Sequence, residues 1–302
     1  MFRSTTKPLL EPTELIALLA DPVKAQKLRI VNANYAIQLP TYAAYNPPVK
    51  ANHIFVNERI PTARHIDISE IGDKSQGLPC MLPKPEQFKD LMMRLDIGVN
   101  DHVVCYGDDN LIGACRVFWM FKVYGFPNVS VLNGTLALWK EKGGQVEIGQ
   151  ETWKEKVIPR DSEEFEYKFN KDIVVGMEDV KKIVNEENCE GDIQLIDTRK
   201  NGVFKGDAKN LRSGHIPGFN NIPFIDVLVE DGSFKSPEEI ELTLEKKACK
   251  LDKPTIVSCN SGMTATVLYV AMHLLGYNDL SLYDGSWTEW VKFDENPVVQ
   301  GE

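Results

Sequence analysis

The chain has 302 residues, 43% hydrophobic and 26% charged, which is enough apolar material for two globular cores and excludes a disordered polymer. Its 34 basic and 44 acidic side chains give a net charge of −10, which argues against nucleic acid or an anionic membrane as partner but leaves room for a local pocket for a small anion. No secretory apolar run opens the chain, where Glu11 and Glu14 arrive early, and the most apolar stretch, 264–275, is too short to cross a bilayer. The six cysteines are too widely spaced for a Cys-x-x-Cys pair and the five histidines do not cluster, so no metal or cofactor is expected. The cysteines are expected to be free thiols in the cytoplasm rather than a mitochondrion.

In chain order, a helix is expected over 13–19 and a buried strand over Leu28–Asn32. A second strand, Val103–Tyr106, is followed by a glycine and a helix over 114–124, and a third strand covers Val129–Leu132. The same order then recurs: a helix over 177–184, a strand ending at Asp197, a strand Thr255–Ser258, a helix over 265–275 and a strand Leu280–Tyr283. Ser236-Pro237-Glu238-Glu239 reads as a capping box with proline at the first helical position. Gly134 and Gly285, each just after a strand, precede Trp139 and Trp290 by five residues. Strands alternating with helices imply an α/β fold, with two mostly parallel sheets that carry helices on both faces. The expected division is a first domain over 1–148, a linker over 149–172 and a second domain over 173–302. Trp153, Phe165, Tyr167 and Phe169 of the linker are expected to pack on the domain faces.

The chemistry concentrates at one loop, Cys259-Asn260-Ser261-Gly262-Met263-Thr264-Ala265. It follows a buried strand and opens a helix, which places a sulfur at the carboxyl end of a parallel strand and at a helix N-terminus. Unpaired amides and the helix dipole favour a thiolate there, and Gly262 lets the backbone curl around it. The other cysteines read as bystanders: Cys105 and Cys115 in apolar elements, Cys80 and Cys189 in loops, and Cys249 exposed but somewhat acidified by Lys246, Lys247 and Lys250. His215, like its counterpart His65, reads as a turn-bonding residue, and Tyr283, Trp287 and Trp290 as core or pocket wall.

Together, Asp197-Thr198-Arg199, Gly214-His215-Ile216-Pro217-Gly218, Asn221-Ile222-Pro223-Phe224, the Cys259 loop and Tyr283–Trp290 resemble the tandem-domain rhodanese sulfurtransferases, in the branch that uses 3-mercaptopyruvate or thiosulfate. The resemblance implies two rhodanese-like domains. In the first, Gly107 stands where a cysteine would be, so the nucleophile belongs to the second. It also implies that Cys259 takes sulfur from a small anionic donor as a persulfide and passes it to a thiol or cyanide, thioredoxin among the candidate acceptors. Asn260, Ser261, Gly262, Met263 and Thr264 would bind the donor, and the neutral Asn260 and Ser261 point to 3-mercaptopyruvate rather than thiosulfate. Where relatives carry a turn arginine this chain has Val203; Arg212 is the first candidate to replace its charge, with Lys205 and Lys209 behind it. Arg199 reads as structural, paired to a local carboxylate. Ser69 and Cys80 stand at the places where mercaptopyruvate enzymes hold an aspartate and a histidine, which keeps open a divergent, non-catalytic binding or regulatory protein as the alternative. A cysteine phosphatase is disfavoured, because Ala265 stands where such a loop would carry a phosphate-gripping arginine.

Overall fold

The computed structural model describes residues 6–35, 57–149, 166–185, 193–210 and 212–301. By internal contacts the chain forms two units. The first comprises Met1–Gly72, Pro83–Phe169 and Asp231–Ser233, and the second Asp73–Leu82, Asn170–Glu230 and Phe234–Glu302.

In the first unit, strands β1 (Leu9–Leu10), β2 (Leu28–Asn32), β3 (Arg64–His65), β4 (His102–Gly107) and β5 (Val129–Thr135) make a sheet of order β1-β5-β4-β2-β3. Every named pair is parallel, with β2 and β4 in register from Leu28↔His102 to Asn32↔Tyr106. All five residues of β2 are buried, the pattern of a strand covered on both faces. Helix α1 (Pro12–Ala20) and helix α6 (Leu136–Glu141) place Leu15, Leu136 and Trp139 on Leu28, Ile30, Val104 and Leu132. Between them in sequence lie α2 (Pro22–Ala25), α3 (Ile68–Ile71), α4 (Pro85–Leu95) and α5 (Ile112–Val123). Helix α5 is mostly apolar and almost wholly buried, with Arg116 and Lys122 as its charged residues; it packs on β4 and β5, and nearby Phe88 of α4 stacks on Tyr124 at 3.9 Å. Two linker aromatics, Tyr167 and Phe169, close on Tyr124 edge-on, whereas Trp153 and Phe165 lie outside the described residues.

The second unit repeats the plan with β6 (Val174–Val175), β7 (Gln194–Asp197), β8 (Phe219–Asn221), β9 (Thr255–Ser258) and β10 (Leu280–Tyr283), in the order β6-β10-β9-β7-β8, again all parallel. Its helices are α7 (Met177–Asn185), α8 (Asn201–Lys205), α9 (Pro237–Lys246), α10 (Ala265–Leu274) and α11 (Ser286–Trp290). Val180 of α7, Phe204 of α8 and Trp290 of α11 share one core cluster with Leu195, Ile256 and Tyr283, while α10 packs on β9 and β10 outside that cluster. The expected capping box is present: the Ser236 N–H donates to Glu239 Oε2 at 3.0 Å, and the Glu239 N–H donates to Ser236 Oγ at 3.3 Å.

The shared glycine-to-tryptophan spacing has a packing cause. A Cβ on Gly134 would lie 2.4 Å from Leu138, and one on Gly285 would lie 2.0 Å from Glu289, so in each unit the residue four places on leans over the glycine. One position further, Trp139 and Trp290 turn into the core, and their indole N–H groups donate to the carbonyls of Gln145 and Pro297 at 2.8 and 2.9 Å.

Candidate active site

Strand β9 is buried throughout and lies between β7 and β10, so the residue after it emerges at the carboxyl edge in the middle of the sheet. The chain leaves β7 through α8, on the face of the shared core cluster, and leaves β9 through α10, which packs outside it. Adjacent strands whose connections depart in opposite directions open a crevice at this edge, the usual ligand position in open α/β sheets. Cys259 stands there, 1% exposed.

The loop is held from both sides. From β7, the Thr198 N–H donates to the Ser258 carbonyl at 2.9 Å, and the hydroxyls of Thr198 and Thr264 lie 3.1 Å apart. From α11, the Trp287 N–H donates to the Cys259 carbonyl at 3.1 Å, and Thr288 donates to the Asn260 carbonyl through its N–H at 2.9 Å and its hydroxyl at 2.7 Å. Ser286 Oγ accepts the N–H of Cys259 at 3.2 Å and of Gly262 at 3.1 Å. Gly262 has φ +71°, the left-handed region that favours a residue without Cβ. Ser261 and Met263 are buried, while Asn260 and Thr264 are partly exposed.

These bonds determine which donors are left. The N–H groups of Asn260, Ser261, Met263, Thr264 and Ala265 have no acceptor among the described residues. They belong to the cysteine's own loop and to the N-terminus of a ten-residue helix. Amides without acceptors and the positive end of a helix dipole are the features with which a protein binds a small anion.

The remaining sequence candidates fall into place as follows. Arg212 Nη1 donates to the Asn296 carbonyl at 3.0 Å, and Nη2 donates to those of Phe293 and Val291 at 2.9 and 3.3 Å; none of its hydrogen bonds reaches the Cys259 loop. It clasps the chain after α11. Val203 is exposed on α8, and Lys209 is exposed in the following loop. Arg199 is structural, as expected, with Nη2 at 2.6 Å from Asp197 Oδ2 and the guanidinium 4.5 Å from the Trp287 ring. His215 stacks on Phe204 at 3.7 Å and pairs Nδ1 with the Phe204 carbonyl at 3.0 Å, and burial holds its pKa below the ordinary imidazole value. Ser69 is exposed in the first unit, with its hydroxyl on Asp67 Oδ1, whereas Cys80 is buried in the segment that joins the second unit. Two residues after Cys80, the Leu82 N–H donates to Asp284 Oδ2 at 2.8 Å.

Cys105, Cys115 and Cys249 are held as neutral thiols by burial. Burial pushes those of Cys105 and Cys115 far up. Cys249 is buried, not exposed, and its thiol is pushed up to about 11; the neighbouring lysines do not acidify it. Cys189 lies outside the described residues. In the first unit the strand register places Gly107 where Cys259 stands in the second, and the next residue, Asp108, bonds to the side-chain amides of Asn32 and Asn34. Three further residues that the sequence does not single out hold the loop: Thr198, Ser286 and Thr288. Each is a small hydroxyl residue inside a motif that stands out for another of its members, and that motif is the signal pointing to them.

The rhodanese-like domain family matches the chain twice, over residues 41–142 and 177–293. Over 285 residues the chain is 36% identical to the thiosulfate sulfurtransferase of Bos taurus, spanning 90% of this chain and 89% of the relative. Over 283 residues it is 35% identical to the 3-mercaptopyruvate sulfurtransferase of Homo sapiens, spanning 91% of each. The crystal structure of SseA from Escherichia coli, a 3-mercaptopyruvate sulfotransferase by its description, superposes with a TM-score of 0.77 at 31% identity, over 93% of this chain and 99% of that one. With the same parallel unit present twice and a thiol at the switch point of the second, the chain belongs to the rhodanese-like family and is a sulfurtransferase.

Proposed function

We propose that this chain moves sulfur from 3-mercaptopyruvate, in preference to thiosulfate, to a thiol or to cyanide through a persulfide on Cys259, and that it does so in the cytoplasm. The observation that carries this reading is the set of five loop amides without acceptors beside a buried thiol. In the first step the Cys259 thiolate attacks the donor sulfur. The carbon–sulfur bond breaks with its electron pair on carbon, and the resulting enolate takes a proton to give pyruvate. The persulfide anion then rests on the amides of Asn260, Ser261, Met263, Thr264 and Ala265, which are oriented before the charge arrives. In the second step an acceptor thiolate, that of a protein such as thioredoxin or of a small thiol, attacks the outer sulfur and Cys259 leaves as thiolate.

The donor preference rests on side chains. The two positions after the cysteine carry no charge, and Arg212 is committed to carbonyls elsewhere, so nothing in the loop adds the cations that would suit a dianion. Asn260, Ser261, Gly262, Met263 and Thr264 form the donor's binding wall; Arg212 is left out of it.

Purified protein given 3-mercaptopyruvate and a thiol is expected to release sulfide, and Cys259→Ser to release none. Intact mass after donor exposure should show one added sulfur, mapped to Cys259. Wild type and Cys259→Ser behaving alike with both donors would overturn the reading. A larger kcat/KM for thiosulfate than for 3-mercaptopyruvate would reverse the donor assignment.

A further inference from the structure

Ser286 has a backbone conformation that its counterpart in the first unit does not share. Its φ is +52°, in the left-handed region where a side chain with Cβ is disfavoured, and the residue is fully buried. Thr135, at the matching place where β5 ends and α6 begins, has an ordinary extended φ of −96°, and its hydroxyl caps its own helix by accepting the Leu138 N–H at 3.4 Å. Ser286 caps nothing. Its hydroxyl donates to the Tyr283 carbonyl at 2.8 Å and accepts the N–H groups of Cys259 and Gly262. A hydroxyl has one proton and two lone pairs, so that of Ser286 is saturated and has nothing left for a substrate. The unit that contains the cysteine is the unit in which this residue is strained, and the strain brings its oxygen beneath the loop.

We propose that Ser286 is a positioning residue for sulfur transfer. It pins the loop at its first and fourth residues and removes those two amides from the set that faces the anion. The other loop amides are thereby fixed in one arrangement around Cys259. This inference rests on the sulfur-transfer reading above and adds to it a residue that does not touch the reacting atoms.

The test uses Ser286→Ala and Ser286→Gly, with Thr135→Ala as control. Ala keeps the backbone strain and deletes the hydroxyl; Gly deletes both, so it folds even if Ala does not. Steady-state sulfur transfer from 3-mercaptopyruvate and amide hydrogen exchange at residues 259–262 are measured on each purified full-length chain. Both Ser286 variants are expected to lose kcat by about tenfold or more, with KM for the donor within about twofold, because the hydroxyl orients the amides that stabilise the transition state. Exchange should accelerate at the Cys259 and Gly262 amides, and Thr135→Ala should keep wild-type kcat. Wild-type kcat in both Ser286 variants, unchanged exchange at those amides, or a change confined to KM would overturn the proposal. A wild-type chain that transfers no sulfur would instead overturn the reading beneath it, and the proposal with it.

Discussion

Arg199 lies between a carboxylate and the face of an indole, and both contacts are out of water. Its pairing with Asp197 is bidentate, the two side chains are about 95% buried, and Trp287 covers the guanidinium while its own N–H holds the Cys259 carbonyl. Deleting one member of such a pair leaves a buried charge uncompensated. Arg199→Met is therefore expected to lower unfolding free energy by about 3–5 kcal/mol in a denaturant titration, and Asp197→Asn combined with Arg199→Met to recover much of it. Equal losses for the single and double variants would contradict that account. His102 gives a pH-dependent case. Burial first, and the nearby Lys122 charge second, hold its pKa down at about 4, with Nε2 2.8 Å from Ser130 Oγ. A base with a depressed folded pKa contributes stability above its ordinary value of 6.5, and this is lost as pH falls toward about 4. The stability difference between wild type and His102→Gln is thus expected to shrink by about 3 kcal/mol between pH 7 and pH 4. A difference that stays flat across that window would show that His102 is not held neutral.

At the scale of elements, what the sequence reveals depends on how much period a segment carries. Leu28–Asn32, Thr255–Ser258 and Leu280–Tyr283 are apolar runs with turn residues behind them, and each is a strand with the expected bounds. The edge strands β1, β3, β6 and β8 have two or three residues each, too few to show a period, and they exist because a longer neighbour offers them a register. The cysteine loop was readable because its residues are consecutive. The grip of Ser286 is not legible in this way, because its left-handed φ goes with bonds to a loop 27 residues away in sequence. The contacts of Arg212 are hidden for the same reason: proximity to His215 in sequence says nothing of the carbonyls of 291, 293 and 296 that take its donors. Local signals carry their own test. Ser236→Ala removes the capping box of α9 and is expected to cost about 1 kcal/mol of stability with kcat unchanged. A loss of turnover in that variant would mean that α9 does more than close the core.

For the whole molecule, duplication separates shape from chemistry. The two sheets have the same strand order and the same glycine-to-tryptophan corner, yet only the second carries a thiol at the end of its central strand. The first has Gly107 there, followed by a carboxylate tied to two asparagines. For a chain with a net charge of −10, the proposed anionic donor has to be drawn by local potential, and in that proposal the amides at the start of α10 that have no acceptor among the described residues are its source. The most direct measurement is intact and peptide mass analysis after a single exposure to 3-mercaptopyruvate without acceptor. One added sulfur on Cys259, removed when a thiol is supplied and absent in Cys259→Ser, is the predicted result. Sulfur found on Cys80, Cys189 or Cys249 with Cys259 unmodified would contradict it.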